Sequence, residues 1–180
     1  MKRMKHIVDR IYRLLMPPVK YWRKRGAVIG DDCEIYKTAS LGSEPYLIKI
    51  GNHVRINPGV IFVNHDGAVW VLRHLQGLDA YKNIDSFGII RIGENVHIGT
   101  NAIIMPGVKI GNNCIIGCGA IVTKDVPDNS VAAGVPARII ESVDEYFRKN
   151  ESKFVHTKGM SEENKRKHLE KIYNNESINS

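Results

Sequence analysis

The sequence predicts an all-β solenoid, a parallel β-helix, and three observations support this. An aliphatic residue recurs at every sixth position, Gly usually follows it, and a small side chain or Val lies four positions after it. The register is clearest in the hexapeptides that begin at Ile29, Ile50, Ile92, Ile110 and Ile116. A period of six is typical of parallel β-helices, in which each hexapeptide forms one side of a coil. A buried helix repeats at three and four residues, and a half-exposed strand repeats at two.

The N-terminal segment, residues 1–25, is predicted to be a basic amphipathic helix or cap. Its apolar stripe consists of Ile7, Ile11, Leu14 and Leu15. The Pro17-Pro18 pair is expected to end the helix after the first sixteen residues. Such a helix either covers the open end of the solenoid or lies on an anionic membrane surface. The sequence leaves both interpretations open.

The solenoid domain is expected over residues 26–140, with one excursion loop over residues 66–90. This loop is rich in aromatic and polar residues, and the repeat resumes after it. Coil corners tolerate insertions that carry function, so the excursion is the expected place for a site. Residues 141–180 are expected to form a helical extension, in which Ser161 and the two acidic residues after it are typical of a helix start.

The positive charge of the chain is concentrated at its N-terminus. The net charge is +7, yet residues 1–25 hold nine Lys or Arg and the single acid Asp9. No basic groove for nucleic acid is therefore indicated, and no nucleic-acid partner is expected. No apolar stretch reaches the roughly 18 residues of a membrane span. The expected location is cytoplasmic, with peripheral contact at the inner face of the membrane through the N-terminal segment left open.

Three cysteines, Cys33, Cys114 and Cys118, lack the paired spacing of a metal site. The first two occupy the small-residue position of the repeat. Free cysteine behaves as a small hydrophobic residue, so all three are expected to be packed thiols. No metal is expected.

The candidate chemistry lies at residues 64–67, Asn-His-Asp-Gly, where the regular coil gives way to the excursion loop. Imidazole titrates near neutral pH, so His65 has the right chemistry to accept a proton from an alcohol or amine that attacks a carbonyl. From position alone, a structural or merely exposed histidine is the alternative interpretation.

Residues 26–140 resemble the hexapeptide-repeat (left-handed β-helix) acyltransferases. Residues 110–138 are similar to the closing stretch of sugar and antibiotic O-acetyltransferases, and residues 64–73 resemble acetyltransferases from capsule and O-antigen gene sets. The resemblance implies left-handed coils, acetyl-CoA as co-substrate, and a homotrimer with active sites between subunits. It also implies that His65 is the general base, because the catalytic histidine of the family precedes an excursion loop.

The resemblance assigns five residues to acetyl-CoA. Thr100 would lie near the thioester, where backbone N–H groups would stabilise the oxyanion. The backbone of Cys118 would bind the pantetheine arm. Thr123, Lys124 and Arg138 would lie towards the nucleotide, whose phosphates need cations.

Four residues are candidates for binding the acceptor: Asn64, Asp66, Trp70 and Arg73. Asp66 is expected either to orient the imidazole or to bind a sugar hydroxyl. Trp70 and Arg73 either form a stacking wall for a sugar ring or pack on the neighbouring subunit. The expected acceptor is a sugar hydroxyl of a surface polysaccharide precursor (capsule or O-antigen) or of a lipid-linked saccharide.

The chain departs from the maltose and galactoside enzymes of the family. It has His97 where Trp is common and Glu141 where a second basic residue is common. These departures leave the identity of the acceptor open. Three alternatives are weighed beside the transferase: N-acetylation of an amino sugar on a nucleotide carrier, an inactive scaffold, and a metalloenzyme like the γ-class carbonic anhydrases. The last needs two zinc-binding histidines four residues apart, a spacing that His53, His65, His74 and His97 do not provide.

Overall fold

The computed structural model describes residues 12–13, 15–77 and 79–176. They form two compact units, of which the first ends at Tyr146 and the second begins at Phe147. The first unit contains all of the β-structure. Most of the helix predicted over the first sixteen residues lies outside the described part of the chain.

The first unit is built from three sheets whose strands are parallel, except for one closing hairpin. Sheet 1 contains β1 (Val28–Ile29), β3 (Ile48–Ile50), β6 (Ile90–Ile92) and β9 (Lys109–Ile110). Sheet 2 contains β2 (Glu34–Ile35), β4 (Val54–Ile56), β7 (Val96–Ile98), β10 (Cys114–Ile116), β12 (Ser130–Gly134) and β13 (Ala137–Ser142). Sheet 3 contains β5 (Ile61–Phe62), β8 (Ile103–Ile104) and β11 (Ile121–Val122). The chain passes through sheets 1, 2 and 3 in the same order in each coil, which is the topology of a parallel β-solenoid.

The hexapeptide register predicted from the sequence is the register of the sheets. The stacked partners in successive coils are Ile50 with Ile92, Ile56 with Ile98, and Phe62 with Ile104. All six side chains are buried. Each contributes about 1.5–3 kcal/mol by its removal from water, so the aliphatic axis supplies the core.

Three edges join the sheets, and we number them in chain order. The first edge, between sheets 1 and 2, comprises residues 30–33, 51–53, 93–95, 111–113 and 127–129. The second edge, between sheets 2 and 3, comprises residues 57–59, 99–101 and 117–119. The third edge, between sheet 3 and sheet 1 of the next coil, comprises residues 41–47, 63–89, 105–107 and 123–125.

The first edge is stabilised by a ladder of polar side chains. Five of its residues have positive φ: Asp32, His53, Asn95, Asn113 and Asn129. Asn and Asp tolerate this left-handed conformation better than most residues. The amide of Asn95 donates to Asn113, and the amide of Asn113 donates to Asn129, each at 2.9 Å. Asparagine side chains of successive coils are therefore hydrogen-bonded to each other along this edge.

A helix, α1 (Pro18–Lys24), precedes the first coil. The helical residues described before the prolines, Tyr12, Arg13 and Leu15, end before Pro17, as the sequence predicted. A second helix, α1, then begins at Pro18, because proline lacks the N–H that the first helical turn leaves unpaired and its φ is already helical. Tyr21 and Trp22 are buried in the core cluster. Arg23 donates from Nη2 to the carbonyl of Ile29 at 2.8 Å. The helix thus covers the N-terminal end of the solenoid.

The excursion loop contains a short helix, α2 (Val69–Leu72), and one 3₁₀ turn (Asp79–Tyr81). At the other end of the solenoid, β13 turns back antiparallel on β12. Helix α3 (Val143–Asn150), a 3₁₀ turn (Glu151–Lys153) and α4 (Glu162–Glu176) follow. Ser161 caps α4 by accepting from the backbone N–H of Asn164 at 3.3 Å, which confirms the predicted helix start.

Candidate active site

His65 lies on the third edge, where the chain leaves the regular coil after β5. Backbone contacts close the excursion loop at this point, since Asp66 N–H donates to the carbonyl of Ser86 at 2.8 Å. His65 itself forms an antiparallel bridge with Phe87. The backbone that carries the imidazole is therefore held in place by Ser86 and Phe87 at the end of the excursion loop.

Two side chains from residues 41–47 reach the imidazole. Nδ1 of His65 lies 3.2 Å from Oγ of Ser43 and 3.4 Å from Oε2 of Glu44. Oγ of Ser43 also donates to Oε2 of Glu44 at 2.6 Å. The side chain of His65 is 51% exposed and that of Glu44 is 21% exposed. Half of the ring is thus open to solvent while the carboxylate is mostly covered.

The imidazole borders a groove with a volume of ≈ 610 Å³, which is within the range of small-molecule sites. Residues that line the groove with His65 include Asp66, Ser86, Phe87, Met105, Pro106 and Thr123. They come from both ends of the excursion loop and from the two following turns of the third edge. The groove therefore runs across successive coils.

Asn64, predicted to bind the acceptor, is fully buried at 0% exposure. Its Nδ2 donates to the carbonyl of Glu44 at 2.7 Å and to that of Leu41 at 3.4 Å. Its backbone carbonyl accepts from Gly88 N–H at 3.0 Å. Asn64 thus ties residues 41–47 to the base of the excursion loop, and its side chain does not line the groove.

The other acceptor candidates lie at the start of the excursion loop. Oδ1 of Asp66 accepts from the backbone N–H of Ala68 at 2.9 Å, which stabilises the turn before α2. Trp70 is 68% exposed, and its ring lies 5.7 Å from that of His74. The guanidinium of Arg73 donates to the carbonyl of Ile84 and pairs with Asp85. Arg73 therefore holds the two arms of the loop together.

The residues assigned to acetyl-CoA are distributed over two edges. Thr123 lines the groove of His65, whereas the resemblance placed it towards the nucleotide. Lys124 and Arg138 line a smaller cavity of ≈ 160 Å³. Thr100 and Cys118 lie on the second edge, one coil apart. The structure brings Thr123 to the histidine and leaves Thr100 and Cys118 on the other side of sheet 3.

Cys118 lines a third cavity of ≈ 480 Å³ with His97, Glu141 and Tyr146. Burial and the nearby positive charge of Arg55 lower the pKa of His97, so this ring favours its neutral form. The other residues that line this cavity are apolar: Ile115, Ile116, Gly117, Val131, Ala133 and Ile140.

The cysteines differ in their surroundings. Burial raises the pKa of the Cys33 and Cys114 thiols, as the predicted packing requires. Cys118 is instead exposed, because its position in the repeat is an edge position and not an interior one. Among the described residues, no three His, Cys, Asp or Glu side chains are grouped as ligands for a metal ion. No helix in the described ranges is long and apolar enough to cross a membrane.

Sequence reasoning missed Ser43, Glu44 and Phe87. A signal for the first two was present. The interior positions Leu41 and Ile50 are nine residues apart, so three extra residues interrupt the hexapeptide phase at the place that faces His65. Phe87 lies in the irregular excursion, where no periodicity predicts its contacts.

Known proteins share both the repeat and the fold. Residues 90–124 match the family described as bacterial transferase hexapeptide (six repeats). Protein CapG of Staphylococcus aureus is 46% identical over 129 residues, which are 71% of this chain and 72% of CapG. Galactoside O-acetyltransferase of Escherichia coli (strain K12) is 42% identical over 103 residues, which are 57% of this chain and 47% of that enzyme.

A solved galactoside acetyltransferase in complex with coenzyme A superposes with a TM-score of 0.55 at 27% identity, covering 82% of this chain and 83% of that one. The similarity to CapG covers more than two thirds of both proteins. The three-sheet coils and the hexapeptide register agree with these matches. The chain therefore belongs to the family of hexapeptide-repeat acyltransferases.

Proposed function

We propose that this chain is an acetyl-CoA-dependent O-acetyltransferase that acts on a sugar hydroxyl with His65 as the general base. The observation that carries the proposal is the setting of His65, whose Nδ1 is engaged by Ser43 and Glu44 while half of the ring borders an open groove. Two relatives support the donor and the acceptor class. One is named galactoside O-acetyltransferase, and the other is a galactoside acetyltransferase in complex with coenzyme A.

Acetyl-CoA needs a long site with cations at one end. On the third edge, Thr123 lies in the groove of His65, and the next residue, Lys124, lines the cavity that also contains Arg138. Successive coils are spaced by about 4.8 Å, so this edge offers a track parallel to the solenoid axis. We assign the thioester to the His65 end and the phosphates to Lys124 and Arg138.

The functional enzyme in this proposal is a homotrimer of left-handed coils with active sites between subunits. Support comes from the separation of the assigned residues, because Thr100 and Cys118 lie on the second edge and His65 lies on the third. A single site can contain residues of both edges only if the third edge of one subunit faces the second edge of another. Closed cyclic symmetry then gives each subunit one copy of the site.

The reaction is a direct transfer. His65 Nε2 accepts the proton of the acceptor hydroxyl as its oxygen forms a bond to the thioester carbon. Backbone N–H groups near Thr100 stabilise the oxyanion of the tetrahedral intermediate. The C–S bond then breaks, and the imidazolium returns the proton to the thiolate of coenzyme A. The products are the acetyl ester and free coenzyme A, with no acyl-enzyme.

The acceptor in this proposal is a sugar unit of a surface polysaccharide precursor or lipid-linked saccharide, modified in the cytoplasm. The exposed ring of Trp70 provides an apolar face of the kind on which sugar rings stack. Arg73 fixes the loop that carries it, through the carbonyl of Ile84 and the carboxylate of Asp85. Asp66 borders the groove as a hydrogen-bond acceptor for a hydroxyl.

The decisive experiment measures thiol release from acetyl-CoA with a panel of hydroxyl sugars, amino sugars, nucleotide sugars and lipid-linked saccharides. We expect acceptor-dependent release that falls at least about a hundredfold in His65→Ala, the usual size of a general-base contribution. His156→Ala, which removes an exposed imidazole from the second unit, is the matched control. Full activity of His65→Ala on a good acceptor would contradict the proposal, and a response only to amino sugars would replace O-transfer by N-transfer.

A second experiment tests the site between subunits. His65→Ala is mixed with Cys118→Trp, a change that blocks the second edge at an exposed position. Each variant alone is expected to be inactive. Reassembled random trimers should recover about a quarter of the wild-type activity, because some sites then combine an intact third edge with an intact second edge. The control mixes His65→Ala with the double variant, which cannot form an intact site. Mixed trimers without activity would place the site within one subunit.

A further inference from the structure

The contacts of Ser43 determine which nitrogen of His65 carries the proton. A hydroxyl has one hydrogen to donate, and a carboxylate can only accept. Because Oγ of Ser43 lies 2.6 Å from Oε2 of Glu44, its hydrogen is donated there. Oγ can then only accept from the second neighbour, Nδ1 of His65 at 3.2 Å. The neutral imidazole therefore carries its hydrogen on Nδ1 and leaves the lone pair on Nε2.

We propose that Glu44 is the positioning residue of the catalytic base and that it acts through Ser43. The relay runs from His65 Nδ1–H to Ser43 Oγ and from the Ser43 hydroxyl to Glu44. It holds the imidazole in the tautomer whose Nε2 accepts a proton, which is the arrangement that base catalysis requires. This inference rests on the proposed function, in which His65 is the base.

The backbone of Glu44 is fixed independently of its side chain. Its carbonyl accepts from Nδ2 of Asn64 at 2.7 Å and from Leu47 N–H at 2.9 Å. Pro45, the next residue, is buried. The insertion that breaks the hexapeptide phase thus presents the carboxylate at a fixed place beside the ring, and Asn64, which directly precedes His65, links the two through its side chain.

The relay also fits the charge that develops during transfer. When Nε2 takes the acceptor proton, the ring becomes an imidazolium that still donates from Nδ1 to Ser43. The carboxylate lies 3.4 Å from Nδ1, so its negative charge stabilises that cation without accepting a proton. Neither Ser43 nor Glu44 is among the residues that line the groove, so their effect is expected in kcat.

The first test is spectroscopic and needs no substrate. The ¹⁵N chemical shifts of ring-labelled His65 distinguish the Nδ1–H from the Nε2–H tautomer at a pH where the imidazole is neutral. We expect the Nδ1–H form in wild type, partial loss in Ser43→Ala, where Glu44 still lies near the ring, and the largest loss in the Ser43→Ala/Glu44→Gln double variant. Glu94→Gln is the matched control, because that carboxylate accepts from Asn52 on the first edge. A wild-type Nε2–H tautomer would overturn the proposal.

The second test is kinetic. Glu44→Gln should lower kcat by about 10- to 100-fold, less than loss of the base itself, with little change in KM for acetyl-CoA or acceptor. Ser43→Ala should lower kcat by less than about tenfold, since the charge remains. Glu94→Gln should behave as wild type. An increase in acceptor KM at constant kcat would overturn the relay and assign Glu44 to acceptor binding.

The two tests separate this inference from the function on which it rests. If no acceptor responds but the His65 tautomer depends on Ser43 and Glu44, the proposed function fails and the relay stands. If transfer occurs and depends on His65, but the tautomer is unchanged in the double variant and kcat is unchanged in Glu44→Gln, the function stands and the relay is wrong.

Discussion

The first and third edges of the solenoid use polar residues in opposite ways. On the first edge, equivalent residues of successive coils pair with each other, as Asn95 does with Asn113 and Asn113 with Asn129. On the third edge, residues that are not equivalent converge on one side chain. Ser43 and Glu44 come from one coil and His65 from the next.

The polar residues of the first edge stabilise the coil, whereas those of the third edge are available for chemistry. A periodic polar residue finds its partner in its own copy one coil away, so each amide is satisfied and none is left for a ligand. An insertion breaks that pairing and brings new side chains to the edge. Both insertions of the third edge, residues 41–47 and 63–89, lie at His65. The irregular positions therefore carry His65 and its partners, and the regular positions of the first edge carry the coil.

The largest effect that tests this contrast is expected from Asn64→Ala. Asn64 is buried and donates to the carbonyls of Glu44 and Leu41, so its removal leaves acceptors unpaired inside the third edge. We expect a loss of about 1–3 kcal/mol in the free energy of unfolding. We also expect kcat to fall at least about tenfold, because Glu44 is released from its place beside His65. Urea unfolding and steady-state kinetics measure the two effects.

The matched variant on the first edge is Asn113→Ala. It removes two ladder hydrogen bonds and places alanine at φ 52°, so a destabilisation of about 1–2 kcal/mol is expected with kcat unchanged. Asn113→Gly tolerates the positive φ but also lacks the amide, and should recover part of the loss. A kcat that falls in Asn113→Ala as much as in Asn64→Ala would remove the functional distinction between the edges.

The periodic part of the molecule could be predicted from the sequence, because burial on the axis imposes one residue type at one spacing. Ile50, Ile92 and Ile110 share one register in the sequence, and they stack as expected. The same reasoning located His65, since a break in the repeat is visible as a loss of phase. It also expected an N-terminal helix to end at Pro17-Pro18, and the helical residues described before the prolines do end at Leu15. The second helix, which begins at Pro18 and buries Tyr21 and Trp22, was not predicted.

The partners of His65 could not be predicted in the same way. Glu44 is separated from it by 21 residues of chain, and the contact depends on the path of an irregular loop. Asn64 was expected to bind the acceptor because it adjoins His65. Successive side chains on extended backbone point to opposite sides, so Asn64, just before His65, faces the interior. The burial of Asn64 follows from that alternation.

The smallest predicted effect concerns His97, on the outer face of sheet 2 between the first and second edges. Burial and the charge of Arg55 lower its pKa in the folded state relative to about 6.5 in the unfolded chain. The unfolded state therefore binds this proton first on acidification, so the stability contributed by the neutral ring is complete above pH 6.5 and declines as pH falls through the folded pKa.

The urea midpoint of His97→Gln should fall less between pH 7 and pH 5 than the midpoint of wild type. Arg55→Gln should show most of the wild-type decline, because burial is the larger cause of the shift. If wild type and His97→Gln lose stability in parallel, titration of this ring does not contribute to the pH dependence of stability.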